Sequence, residues 1–522
     1  MGANLPRRLS LEDAGFLYLE KPTAPLHVGS LGIYEGTIPF DALVSHMESR
    51  MHTIPRYRQR VTFVPLNLGH PTWEDDPNFD IRRHIRRIRP RGRVDDARLA
   101  QIAAKTFAPG MDRTKPLWDI TLIEGLTEGR SALVARAHHC MVDGVSGVEL
   151  LVALLDLTPE PREVEPPTEQ WVPQPAPAPA DMMSDAVWDW LYQQVGTWSD
   201  LQLMLLDPQE GRRRLGIMAR SFQKVARFFL TPVPPTSFNA PVSPQRALAW
   251  TEMPFADLRA IRGALGGTVN DVVLAILAGG LARYIGSHSV DGVASELRVL
   301  IPVNVRRENE QGSLGNRVSF MVAGLPLGMP DPIQRFSAIR MQVQELKDAK
   351  QAEGLDMVAQ LLGQVPPPLA PAAASTLATF PFTLSNLVCT NVPGPMVPVY
   401  CVGHRMLAHY PLAPLSFDLG VNVGVMSYDQ RMFWGLMANA ATMPDPDRLA
   451  RNLDEAFLEL RGLAGVAPIE LPPIGERAAR EEPTPLHAVE QVPDTVARRR
   501  NGRRPTAEEA PVSRRSRSAR RL

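Results

Sequence analysis

Ser131-Ala-Leu-Val-Ala-Arg-Ala-His138-His139-Cys-Met-Val-Asp143-Gly144 is the stretch on which fold and chemistry turn. Leu133, Val134, Ala135 and Ala137 form a short run of small apolar residues, as in a buried strand. Beyond Gly144, Ser146-Gly-Val-Glu149 reads as a capping box and Leu150–Leu157 continues in helical pattern. His138, His139 and Asp143 therefore fall on a strand-to-helix turn, from which a side chain can be aimed into a cleft. A neutral imidazole there can take a proton from a hydroxyl as an acyl transfer begins. Two other readings compete. Both histidines could be buried and satisfied by backbone groups, or they could bind a metal. Adjacent strand residues point to opposite faces, which disfavours a shared ion. A chance HHxxxDG is expected on the order of once in a thousand such chains, which favours the catalytic reading over the buried one.

The surrounding chain has 522 residues, 44% hydrophobic and 21% charged, which excludes wholesale disorder, collagen and a coiled-coil rod. Its 56 basic and 56 acidic residues balance, but unevenly. Residues 498–522 hold ten arginines and two glutamates, so the rest of the chain is mildly acidic. Three cysteines, Cys140, Cys389 and Cys401, show no CxxC spacing and are too few for a disulfide framework. The N-terminus carries Arg7, Arg8, Glu12 and Asp13 where a signal peptide needs an apolar run. The longest apolar run, Val272–Ala282, is 11 residues and suits a buried core helix better than a membrane span of roughly 18. These features predict a cytoplasmic protein whose membrane contact, if any, is peripheral.

Proline divides the chain. Thr158–Ala180 contains eight prolines and reads as an extended spacer, and Thr231-Pro-Val-Pro-Pro235 breaks the chain again. The expected units are an N-terminal domain over 1–157, a linker with amphipathic helices over 158–245, a C-terminal domain over 246–471 and a disordered basic tail over 472–522. Within the linker, Trp188, Trp190, Leu191, Trp198, Leu201 and Met204 recur at roughly helical spacing. Arg212–Leu230 has six basic residues, no acidic one and an apolar face. Such a helix either packs between domains with a solvated basic edge or lies on a lipid surface.

The HHxxxDG pattern resembles that of the CoA-dependent acyltransferase superfamily, and peptide-synthetase condensation domains share it. Over roughly residues 9–465 the chain resembles one branch, the bacterial wax ester synthase/acyl-CoA:diacylglycerol acyltransferase family. The carriers are Leu9–Phe16 with Pro25–Gly29, Asp112–Trp118 with Lys115, Thr268–Asp271, Pro302–Arg306 with Leu314–Arg317, and Thr390–Pro395. Thr390 stands where that family often has Ser, and Gln430 where it often has Gly.

The resemblance implies a two-domain α/β fold of the chloramphenicol acetyltransferase kind, with the active site in a channel between domains. It implies His139 as general base and His138 in support. Asp143 would orient the loop through a cation, and Gly144 would keep the turn tight. Asn270 and Asp271 would lie near the channel, which Leu117 and Trp118 would shape. The expected reaction joins acyl-CoA to diacylglycerol or a long-chain alcohol, at a peripheral membrane or lipid-droplet surface. No metal, redox cofactor or specific nucleic acid is called for. Asn270, Thr390 and Asn391 are candidate oxyanion donors, and Arg306, Arg307 and Arg317 candidate contacts for the CoA phosphates. Two alternatives stand beside this reading, a condensation-type enzyme using carrier-bound donors and an inactive lipid-binding relative.

Overall fold

The strand predicted from Leu133–Ala137 spans Ser131–His138, and all eight of its residues are buried. In the computed structural model the described residues are 7–141, 151, 153–206, 233–286, 295–304, 318–348, 367–372, 385–416, 418–469, 471 and 474. They belong to one compact unit, Met1–Gly475. Asp143, Gly144, Arg306, Arg307, Arg317, the Arg212–Leu230 segment and all of 472–522 but Ile474 lie outside them.

Two six-stranded sheets organise the unit. In chain order the first half provides β1 (His27–Tyr34), the small pair β2 (Gln59–Thr62) and β3 (Thr72–Asp75), then β4 (Ile85–Ile88), β5 (Trp118–Ile123) and β6 (Ser131–His138). The second half provides β7 (Arg246–Pro254), β8 (Leu297–Asn304), β9 (Val318–Leu325), β10 (Leu387–Val392), β11 (Tyr400–Cys401), β12 (His404–Leu412), β13 (Val421–Tyr428) and β14 (Arg431–Asn439). The first sheet runs β11-β12-β1-β6-β5-β4 and the second β7-β14-β13-β10-β8-β9. The strand that ends in the two histidines is thus central, paired antiparallel with β1 and β5. That position explains its small residues, since both faces must be covered.

The sheets do not follow the division at 157 and 246 throughout. β11 and β12 belong to the second half of the chain, yet β12 pairs antiparallel with β1. The crossing needs room. A Cβ on Gly435 would stand 2.0 Å from the Pro411 carbonyl of β12, and one on its partner Gly424 would stand 3.0 Å away. Two facing glycines let the strands approach where any side chain would clash.

The described helices are α1 (Leu11–Leu19), α2 (Phe40–Glu48), α3 (Asp96–Phe107), α4 (Pro179–Leu206), α5 (Phe255–Leu265), α6 (Val269–Gly286), α7 (Pro332–Asp348) and α8 (Pro446–Leu463). α6 contains the 11-residue apolar run. By length and composition it could cross a membrane, but Val272–Leu281 are buried in the core of the second sheet. α8 packs closely at Gly280, where a Cβ would meet Leu453 at 2.6 Å. The helical pattern read to Leu157 is shorter in the structure. Leu155 is no longer helical, and Asp156 pairs with Tyr400 and takes Arg50 at 2.9 Å. Residues 158–178 carry no helix or strand, in keeping with their prolines. Gln430 closes the β13–β14 hairpin at φ +67°, the left-handed region that favours glycine.

Candidate active site

β6 delivers His138 and His139 to the end of the first sheet, and its neighbours hold them there. The His138 N–H donates to the Leu117 carbonyl at 2.8 Å, and the His139 N–H donates to the Leu26 carbonyl at 2.9 Å. The chain then enters a 3-10 turn over His139–Met141. One histidine is fixed by the residue before β5, the other by the residue before β1.

The two rings meet different surroundings. His138 is 1% exposed. Its Nδ1 accepts the Cys140 N–H at 3.2 Å, which leaves the ring proton on Nε2. Nε2 lies 3.3 Å from Oε1 of Glu20, close enough for attraction but misaligned for a good hydrogen bond. Burial pushes the Glu20 carboxyl up, but His138, Arg113 at 2.6 Å and the Leu26 N–H at 3.0 Å outweigh it, leaving a value of about 2. Glu20 is therefore an ionised carboxylate at neutral pH.

His139 is only partly buried. The ring of Phe16 stacks on it, with centroids 3.9 Å apart and planes 10° apart. Phe16 lies on α1, and Glu20 is the extended residue that ends it. Ser10 caps the start of α1 by accepting the Asp13 N–H at 3.0 Å, and Ala14 and Leu17 bury its other side. The helix and the residue that ends it thus contact the two histidines.

Behind the turn lies a buried polar layer. His27 is the cross-strand partner of His138, and its Nε2 donates to the Phe107 carbonyl at 2.6 Å. Burial, then the Arg136 charge, hold the His27 imidazole down to about 3, so the ring is neutral. Arg136 grips Asp119 through two hydrogen bonds of 2.8 and 2.6 Å and donates to the Phe107 and Pro109 carbonyls at the end of α3.

The remaining expected residues take varied places. Leu117 and Trp118 are both buried, and the Trp118 Nε1–H donates to the Tyr57 carbonyl at 2.8 Å while its ring stacks on His84. They brace the histidine strand from behind. Asp271 forms a reciprocal cap with Thr268, whose N–H and hydroxyl reach its Oδ2 at 2.7 and 2.9 Å. Its Oδ1 is buried without a hydrogen-bond partner among the described residues. Asn270 is half-buried beside it, and no hydrogen bond links either residue to His138 or His139 among the described residues. Thr390 and Asn391 lie half-buried on β10. No three His, Cys, Asp or Glu side chains among the described residues converge as a metal site requires. Phe16 and Glu20 are the additions the sequence reading lacked. Neither carries a local signal, because their contacts with the histidines are made across more than a hundred residues of chain.

A partly buried imidazole at the end of a central strand, backed by a buried one, on a two-sheet α/β scaffold, suits an acyltransferase of the CoA-dependent kind. Residues 9–273 match the model of the wax ester synthase/diacylglycerol acyltransferase catalytic domain, and residues 314–461 match that of the C-terminal domain. The chain belongs to the wax ester synthase/diacylglycerol acyltransferase family. It is 29% identical to the probable diacylglycerol O-acyltransferase tgs1 of Mycobacterium tuberculosis, over 87% of this chain and 95% of that one. A putative diacylglycerol O-acyltransferase of the same organism is 32% identical, over 87% of this chain and 90% of that one. The solved wax ester synthase/diacylglycerol acyltransferase of Marinobacter aquaeolei VT8 matches with a TM-score of 0.61 and 25% identity, covering 88% of this chain and all of that one. The first condensation domain of the calcium-dependent antibiotic synthetase shares the fold, with a TM-score of 0.55 at 15% identity, over 88% of this chain and 96% of that one.

Proposed function

We propose that this acyltransferase moves a long-chain acyl group from acyl-CoA to the hydroxyl of diacylglycerol, and also accepts long-chain alcohols, with His139 as general base. The observation that carries the assignment is the asymmetry of the pair. His138 is sealed against Glu20, whereas His139 is partly exposed and presents an imidazole whose one face is covered by Phe16. His139 takes the hydroxyl proton as the acceptor oxygen attacks the thioester carbonyl. The C–O bond forms, the C–S bond breaks, and the imidazolium returns its proton to the departing thiolate. General base action of this kind contributes roughly 10²–10⁴ in rate. His138 and Glu20 act as positioning residues, fixing the turn from which His139 projects.

Both substrates are lipids, so the enzyme needs contact with a lipid surface. α4 supports a peripheral contact of this kind. Trp188 is 59% exposed and Tyr192 73% exposed, with Trp190 and Leu191 also open to solvent. Amphipathic aromatic rings are favoured at the boundary between head groups and acyl chains. The working site is then the cytoplasmic surface of a membrane or lipid droplet.

Free thiol released from palmitoyl-CoA, measured with dioleoylglycerol or hexadecanol and with product analysis by chromatography, tests the reading. Acceptor-dependent release with triacylglycerol or wax ester formed is expected. No release with either acceptor from folded protein contradicts it.

A further inference from the structure

At the β4 edge of the first sheet, beside the end of α3, lies a cavity of 410 Å³ that contains neither histidine of the turn. Arg136 and Asp119 line it, and their charges cancel. Arg86, Arg87, Lys105 and Lys115 border it against one further carboxylate, Asp112, a surplus of three positive charges. The Arg87 guanidinium lies over the Phe40 ring, 4.9 Å from the centroid, and keeps its charge there. The sequence makes this edge unusually cationic, since residues 82–93 hold seven arginines and no acidic residue.

The cations are poorly neutralised. Arg86 is 3.8 Å from Asp119, which Arg136 already holds at 2.6 Å. Lys105 is in no ion pair among the described residues. The Lys115 ammonium donates to the Arg83 carbonyl at 3.1 Å, and burial followed by the Arg86 charge hold its pKa below the usual lysine range. A neighbouring anion would relieve all three. Arginine and lysine together around a concave surface suit a phosphate, which takes forked hydrogen bonds from one and a point charge from the other.

The place relative to the site matters. Arg136 precedes His138 by two residues on β6, about 7 Å by strand rise and on the same face. Trp118 lines the cavity, and Leu117 before it accepts the His138 N–H.

We propose that this cavity binds the phosphate groups at the nucleotide end of the acyl-CoA donor, while the thioester end reaches toward the His138–His139 turn. The proposal rests on the acyltransferase reading above. An anionic lipid head group would offer the same phosphate chemistry, so the test separates the two sources.

The full chain is titrated calorimetrically with CoA and with adenosine 3′,5′-bisphosphate, and sedimented with phosphatidylglycerol vesicles, as wild type and as Arg86→Gln/Lys105→Gln. Both substituted side chains are exposed, and a thermal melt checks that the variant folds. The variant should bind both nucleotides at least tenfold more weakly and show a similar rise in KM for palmitoyl-CoA, with KM for dioleoylglycerol within twofold of wild type. Nucleotide binding unchanged in the variant overturns the proposal, and wild-type turnover in the same preparation would leave the acyltransferase reading standing. Vesicle binding lost with nucleotide binding intact also overturns it, and assigns the cavity to a lipid head group. Nucleotide binding weakened in the variant, with no acyl transfer by wild type, supports the cavity assignment and contradicts the acyltransferase reading.

Discussion

Phe16 lies flat against His139, ring on ring, with 3.9 Å between centroids. The stack comes from a residue more than a hundred positions upstream, and it limits how the imidazole can turn. It also places a π-face against the ring that becomes an imidazolium during proton transfer, an arrangement that favours the cation by ~0.5–2 kcal/mol. Phe16→Ala is expected to lower kcat about tenfold with a smaller change in KM, and Phe16→Trp to recover most of it. Steady-state kinetics of the two variants check this. A KM effect alone would assign Phe16 to substrate binding.

Glu20 serves His138 in a different way. Replacing it with Ala removes the carboxylate from Arg113, whose side chain is partly open to solvent, and from the buried His138 Nε2, and is expected to lower stability measurably. Glu20→Gln keeps the shape and the Leu26 N–H contact, and is expected to lose less stability than Glu20→Ala. Urea unfolding at pH 7 ranks them. Because the folded carboxyl is held at about 2, its stabilisation is present above about 4.5 and is lost as pH falls toward 2.

His27 predicts a second acid sensitivity that sets in at higher pH. Its imidazole is held at about 3, and that of the buried His409 at about 4, in both cases by burial first. Unfolded histidines take up protons from about pH 6.5 downward while these two stay neutral, so the unfolded state binds more protons and stability falls as pH drops from 6.5. His27→Gln, which can still donate to the Phe107 carbonyl, should flatten the loss between pH 6.5 and 3. Urea midpoints at pH 7 and pH 5 measure it, and an unchanged slope would remove His27 from the account.

The aromatic face of α4 predicts where the protein meets lipid. Trp188→Ser/Tyr192→Ser should reduce sedimentation with anionic vesicles severalfold and leave the melting temperature nearly unchanged, since both side chains are exposed. Equal sedimentation of variant and wild type would place the lipid contact elsewhere.

Local patterns in the sequence were legible because local physics determines them. The apolar run before the histidines became β6, and Thr268–Asp271 became a helix cap opening the predicted core helix. The family motifs led to the correct fold. Long-range pairings were not legible. Nothing near Phe16 or Glu20 signals the histidines, and nothing in His404–Leu412 signals that this strand leaves its own half to pair with β1. Asp271, expected near the channel, caps the start of α6 through its carboxylate. Gln430 is a departure from the family pattern that the backbone accommodates at φ +67°.

If His139 carries the proton, thiol release from palmitoyl-CoA with dioleoylglycerol must depend on it. Acceptor-dependent release is expected to fall at least a hundredfold in His139→Ala, with a melting temperature close to wild type. Equal release by both proteins would contradict this and move the base elsewhere.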